Sequence, residues 1–202
     1  DVIGNELVPQ EQLEGTAVGD AYQRYRAMLD RYHMLTFGLI ISSAVDALKD
    51  LKVFARIHGP LRHLIVDEYQ DINPAQHALI ERLATAHVAL CVVGDDDQAI
   101  YQWRGSDIGV ILDFASRRPA SKSVTLEENR RSRPTVVGTA NTFAQAIPDR
   151  LPKSMKPVRE AAGPEVVPWV ASTETAEVET SAATIKRLHD EGVAYRDIAV
   201  LY

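Results

Sequence analysis

The rhythm of apolar and polar positions changes near residue 59. Residues 1–19 show no clear period. From about Asp20 to Leu51 the pattern is helical, with Tyr22, Tyr25 and Leu29 recurring at spacings of three and four. "LTFGLIISSAVDAL", 35–48, continues it as a more apolar helix, weakened at Gly38. Gly59-Pro60 then punctuates the chain. Beyond it, strands and helices alternate. "HLIVDE", 63–68, and "VALCVVGD", 88–95, are continuous apolar runs, the pattern of strands buried on both faces of a parallel sheet. Between them Asn73-Pro74 starts a helix, Asn73 as cap and Pro74 in the first turn, with Ala75, Leu79, Ile80 and Leu83 on its apolar face. "SDIGVILDFAS", 106–116, predicts a short helix capped by Ser106 or Asp107. "SVTLEEN", 123–129, predicts a third strand, and "SRPTVVGTANTFAQAI", 132–147, a helix. A Pro-containing stretch, 148–164, reads as a linker. After it come a strand "EVVPWVA", a helix ending at Gly192 and a strand "DIAVLY". Alternating strands and helices give an α/β fold with a mostly parallel sheet. A second α/β unit begins after the linker.

Composition adds boundaries. The chain has 202 residues, 46% hydrophobic and 25% charged, ordinary values for a globular protein. Its net charge of −6 does not advertise a nucleic-acid binder, although a local basic stripe is what such binding needs. Cys91 is the single cysteine, so neither a disulfide framework nor a cysteine metal site can form, which fits a reducing compartment. No apolar run approaches the ~20 residues of a membrane span. The start, "DVIGNELVPQ", is neither a signal peptide nor a Met start, which suggests an excised or processed piece.

Chemistry gathers at the strand ends. In open α/β sheets ligands bind beyond the carboxyl ends of the strands. Asp67-Glu68 stands at one such end and "GDDDQ", 94–98, at the next. An apolar strand ending in Asp-Glu suits ATP hydrolysis: the Asp holds Mg²⁺ and the Glu orients or deprotonates the attacking water. Gln98 can contact the terminal phosphate. Taken alone, "DE" is more simply a strand reaching the surface; two neighbouring acidic ends are harder to dismiss. Asp95, Asp96 and Asp97 repel one another and lack a His partner, so they read as a solvated, helix-capping turn rather than a metal cluster.

Aromatic and basic residues follow. "QAIYQWRGSD" places Tyr101, Trp103 and Arg104 in a loop opening from that edge. Aromatics beside an arginine make a stacking platform for unpaired bases. The plainer reading is a Trp packed under a helix with Arg104 on a carboxylate. "LEENRRSRP" sets Arg130, Arg131 and Arg133 before a helix, where arginine is unfavourable unless it faces an anion. There it can grip a phosphate, the plainer reading being a solvated basic turn.

"LIVDEYQDINPAQ", "VVGDDDQAIYQWRGSD" and "LEENRRSRP" together resemble, in order and spacing, motifs II, III and IV of the UvrD/Rep family of superfamily 1 DNA helicases. "LTFGLIISSAVDAL" is similar to the helix preceding motif II, without its usual acids, and "DIAVLY" to a strand of the second RecA-like domain. The resemblance covers roughly residues 20–202. It implies a RecA-like parallel sheet flanked by helices. Residues 1–58 would be a mainly helical segment, 59–128 the first RecA-like ATPase domain, and 129–202 the hinge and the start of the second. By resemblance, Asp67 is the Mg²⁺ acid, Glu68 the catalytic base and Gln98 the γ-phosphate sensor. Tyr101, Trp103 and Arg104 contact single-stranded DNA, and Arg131 is the γ-phosphate arginine. Arg130 stands where the family commonly has a Tyr stacking on adenine; a guanidinium can stack too. The phosphate loop, G-x-x-x-x-G-K-[ST], does not occur in these residues, and no lysine follows a glycine.

The resemblance implies part of a cytoplasmic, nucleoid-associated helicase using ATP and Mg²⁺, moving 3′ to 5′ on single-stranded DNA or at a single-strand/duplex junction, with DNA repair among its expected roles. The rest of the helicase chain, or a partner, would supply the phosphate loop, and this piece alone would be inactive. The alternative is a non-catalytic, helicase-like module that binds DNA or protein. A metal-dependent nuclease built on the acid clusters is the third and weakest reading.

Overall fold

The computed structural model describes residues 2–85, 87–163 and 165–201, and the side chains of Val2, Gln10 and Arg104 lie outside the description. Contacts cluster into two units, Asp1–Glu127 with Phe143–Ser154, and Glu128–Thr142 with Met155–Tyr202.

The first unit begins with helices. α1 spans Val2–Asn5, α2 Ala17–Arg31, α3 Phe37–Ala47 and α4 Leu51–His58. The single long pattern expected over 20–51 is thus divided. Thr16, Thr36 and Asp50 each cap a new start by accepting an amide hydrogen bond from within the first turn. Gly38, which lowered the helical reading, has a packing role. A Cβ on the facing Gly4 would stand 3.0 Å from the Gly38 carbonyl carbon, so α1 and α3 approach closely through small residues.

β1 (His63–Val66), α5 (Pro74–Leu83) and β2 (Ala89–Val92) follow. β1 and β2 pair in parallel, from His63 with Ala89 to Val66 with Val92. A parallel pair needs a crossover, and α5 supplies it. Its start is as the sequence predicted: Asn73 accepts from Gln76 N, Gln76 returns a bond to Asn73 N, and Pro74 occupies the first turn. The sheet departs from expectation. Leu64 and Val66 of β1, Leu90 and Val92 of β2, and Ile111 and Phe114 pack around Tyr69, Ile72, Ile80 and Val110. His63, Ile65, Ala89 and Cys91 on the other face are exposed, Ile65 by 71%. An apolar run does not reveal which of its faces is covered. α6 (Gly109–Leu112) and α7 (Phe114–Arg117) replace the one short helix expected, with Asp107 Oδ1 accepting from Gly109 N.

In the second unit, β3 (Glu128–Asn129) pairs in parallel with β4 (Lys156–Pro157). α8 spans Pro134–Ala144 and α9 spans Glu174–Asp190. The predicted strand over 123–129 shrinks to its last two residues. Val124 and Leu126 are exposed, and a strand without a neighbour has no ladder to satisfy its amides. The strands expected at 165–171 and 197–202 are not formed among the described residues. Pro168 removes a ladder donor from the first, and Tyr195–Asp197 form a 3₁₀ turn at the start of the second.

Candidate active site

Both apolar strands deliver their polar ends to the same edge of the first unit. The ladder runs on past β1 and β2: Val93 N donates to Val66 O at 2.8 Å, and Tyr69 N to Val93 O at 2.9 Å. Asp67-Glu68 and the 94–98 loop are therefore held side by side. Asp67 and Glu68 are exposed, and Asp67 Oδ1 accepts from Glu68 N at 2.9 Å. Glu68 sits at φ 51°, ψ 45°, in the left-handed region. This is uncommon for a residue with a Cβ and turns the chain sharply into the 3₁₀ turn Tyr69–Asp71.

The amide of Gln70, only 1% exposed, joins the two ends. Its Nε2 donates to Glu68 Oε2 at 2.8 Å, and its Oε1 accepts from Asp95 N at 3.0 Å. Gln98 is exposed and donates from Nε2 to Asp95 Oδ2 at 2.7 Å. Burial, and next the charge of Glu68, push the Asp71 carboxyl above the usual aspartate range. Its Oδ1 is buried without a hydrogen-bond partner.

The three consecutive aspartates are not the solvated turn expected from the sequence. Asp95 does cap, accepting from Asp97 N at 3.2 Å, but Asp96 is only 4% exposed. Residues 150–153 neutralise the group. Arg150 binds Asp97 with two nitrogens, Lys153 pairs with Asp95, Asp96 and Asp97, and Leu151 N donates to Asp96 Oδ2 at 2.7 Å. The Arg150 hydrogen bond holds the Asp97 carboxyl below its usual range. Burial disfavours charge on Lys153, yet hydrogen bonds to Asp96 and Asp95 leave its ammonium more basic than usual. Among the described residues, no group of three or more His, Cys, Asp or Glu is arranged to hold a metal. Gln70, Arg150 and Lys153 were not singled out by the sequence. Only the charge sign of the last two hinted at a partner for the aspartates.

Beyond the loop, Trp103 is 73% exposed and so is not packed beneath a helix. Tyr101 lines a cavity of about 320 Å³ with Asn5, Phe37, Asp71, Gln76 and Ser106. Arg104 closes the 3₁₀ turn Gln102–Arg104, and its side chain lies outside the described residues.

The arginine turn belongs to the second unit. Asn129 Oδ1 accepts from Arg131 N and Ser132 N, folding the turn ahead of α8. Arg130 pairs with Glu128 at 2.6 Å, both exposed, and Arg131 is exposed. An anion does meet the start of α8, and it is the chain's own. Glu165 Oε2 accepts from Thr135 N at 3.1 Å, the favourable sign at a helix N-terminus.

Residues 4–119 match the family model of the UvrD/REP helicase N-terminal domain. The chain belongs to the UvrD/REP helicase family. It is similar to the ATP-dependent DNA helicase PcrA of Staphylococcus aureus (strain Mu50), 34% identical over 186 residues, which cover 92% of this chain and 25% of that protein. It is similar also to the ATP-dependent DNA helicase PcrA of Staphylococcus epidermidis (strain RP62A), 33% identical over 206 residues, 98% of this chain and 28% of that protein. The chain thus spans about a quarter of the length of these curated relatives. This UvrD/REP chain has a mixed helix and sheet fold with small parallel sheets, and among its described residues no helix is long and apolar enough to cross a membrane.

Proposed function

We propose that this chain is the strand-end half of a RecA-like ATPase site in an ATP-dependent DNA helicase or translocase that moves 3′ to 5′ on single-stranded DNA. The observation that carries the reading is the joining of Glu68 and the Gln98 loop through Gln70, at the carboxyl ends of adjacent parallel strands. Family membership and relatives named ATP-dependent DNA helicase PcrA support it.

In this reading Glu68 orients the attacking water and accepts its proton. Mg²⁺ commonly binds through one or two carboxylates together with substrate phosphates, and exposed Asp67 at a strand end fits that need. The ion supplies charge neutralisation on the phosphates when bound. Gln98 senses the terminal phosphate, exchanging its bond to Asp95 for one to nucleotide. Arg131 stabilises charge on the γ-phosphate, and Arg130 stacks on the base after leaving Glu128. Tyr101, Trp103 and Arg104 hold single-stranded DNA, Trp103 by stacking. The backbone and Lys that cradle the β- and γ-phosphates come from outside these 202 residues, and the protein acts in the cytoplasm on nucleoid DNA.

The test compares DNA-stimulated ATP hydrolysis and strand displacement by the full-length protein with hydrolysis by these 202 residues alone. The full-length protein should hydrolyse ATP and displace strands from 3′ overhangs, and the isolated residues should do neither. Hydrolysis by the isolated residues would refute the half-site reading. A full-length protein that binds DNA, hydrolyses nothing and is unchanged by Glu68→Gln would be the non-catalytic module.

A further inference from the structure

We propose that Gln70 is a positioning residue that sets Glu68 against the Gln98 loop. The inference rests on the reading of Glu68 as the water-orienting base.

Gln70 is almost fully buried, and both ends of its amide are used. Nε2 donates to Glu68 Oε2 at 2.8 Å and stands 3.4 Å from Asp71 Oδ2; Oε1 accepts from Asp95 N at 3.0 Å. The orientation follows from chemistry. An ionised carboxylate only accepts and a backbone N–H only donates, so the amide nitrogen faces Glu68 and its oxygen faces the loop. A Leu here could make neither bond, and an ionised Glu would set a second carboxylate against Glu68.

Two neighbouring features meet at this contact. Glu68 has left-handed backbone angles, which a non-glycine residue keeps only when its surroundings hold it there. Gly94 lets the second loop settle onto the amide. A Cβ at that position would lie 2.7 Å from Gln70 Oε1 and 2.8 Å from Ile111 Cδ1, so a larger residue would displace the Gln70 amide from its bond to the loop. Gln98 lies three residues beyond Asp95, whose side chain it also binds. Any displacement of that loop on nucleotide binding or loss therefore reaches Glu68 through one amide.

The test uses the full-length protein and three variants, with ATP hydrolysis measured under saturating single-stranded DNA. Gln70→Leu should lower kcat about tenfold to a hundredfold, the size expected for misplacing a reacting group, with KM for ATP within about twofold. Gln70→Glu gives the readout that a merely structural role would not move. When protonated, its carboxyl keeps one donor and one acceptor and replaces the amide. When ionised it opposes Glu68. The charged groups around it are Glu68, Asp71 and, across the loop, Asp95 with its partner Lys153. Its kcat relative to the unmodified protein should therefore be highest at acid pH and fall steadily as pH rises. Glu68→Gln reports on the underlying reading and should lower kcat at least about a hundredfold. If it does, and Gln70→Glu shows a flat relative pH profile, the positioning role is overturned while the base stands. If Glu68→Gln hydrolyses ATP as fast as the unmodified protein, both fall together. Should Gln70→Leu fail to fold, the Gln70→Glu profile decides alone.

Discussion

Arg150 grips Asp97 with two parallel bonds, Nε to Oδ1 at 2.8 Å and Nη2 to Oδ2 at 2.6 Å. The partners are 53 residues apart in sequence. Planar pairing of this kind fixes direction as well as distance. It ties the segment after α8 to the turn that carries Gln98. Lys153 completes the clamp against all three aspartates.

Lys153→Met removes the cation and leaves Asp96, with 2% side-chain exposure, to carry a buried charge. Breaking such a pair from one side costs about 3 kcal/mol. Urea unfolding should show a lower midpoint with an unchanged slope. A variant as stable as the unmodified protein would mean the clamp contributes nothing.

The clamp predicts a pH window. The Asp97 carboxyl is depressed, chiefly by the Arg150 hydrogen bond, so its contribution is complete above the ordinary aspartate pKa of about 4 and lost as pH falls through its lowered value. The Lys153 ammonium is raised, so its contribution is complete below about 10 and lost as pH rises through its raised value. The difference in melting temperature between the unmodified protein and Asp97→Asn should be constant from about pH 5 to 9 and shrink below about pH 4.

Glu68→Gln in the full-length protein should lower kcat for ATP about a hundredfold to ten-thousandfold and leave nucleotide affinity nearly intact. Glu68 is exposed and its side chain supports no core, so the melting temperature should not move by more than a degree or two, about what a neutral surface change gives. Equilibrium binding of a fluorescent nucleotide separates the two effects.

Trp103→Ala removes an aromatic that is 73% exposed, so the fold should be unaffected. Affinity of the full-length protein for single-stranded DNA should fall by about 1–3 kcal/mol, or roughly five- to 150-fold. Fluorescence anisotropy with a labelled oligonucleotide measures it. Unchanged affinity would remove Trp103 from the DNA surface.

Asn73→Ala breaks a reciprocal cap in which Gln76 N donates to Asn73 Oδ1 and Asn73 N donates to Gln76 Oε1, both at 2.9 Å. The cost should be about 1 kcal/mol. Asn73→Asp should recover most of it, since aspartate caps as well and suits the helix N-terminus. Thermal unfolding of the pair distinguishes lost capping from lost packing.

Features that depend on near neighbours were legible in the amino-acid order. Apolar runs 63–66 and 89–92 form strands, Asn73-Pro74 starts a helix with its predicted cap, and acids stand at both strand ends. Hydrophobic period and capping are local properties, readable one segment at a time. Among the described residues, the strands expected at 123–127, 165–171 and 197–202 are not formed for a related reason: a strand exists only where another strand satisfies its amides, and that partner is not written in the segment. Tertiary structure alone decided which face of β1 is covered, since Leu64 and Ile65 are equally apolar and only packing separates them. It also decided the fate of the three aspartates. As a sequence they repel one another and point to water. In the fold, a lysine and an arginine more than 50 positions away arrive beside them, and charges that would be costly to bury become the fixed base of the Gln98 turn.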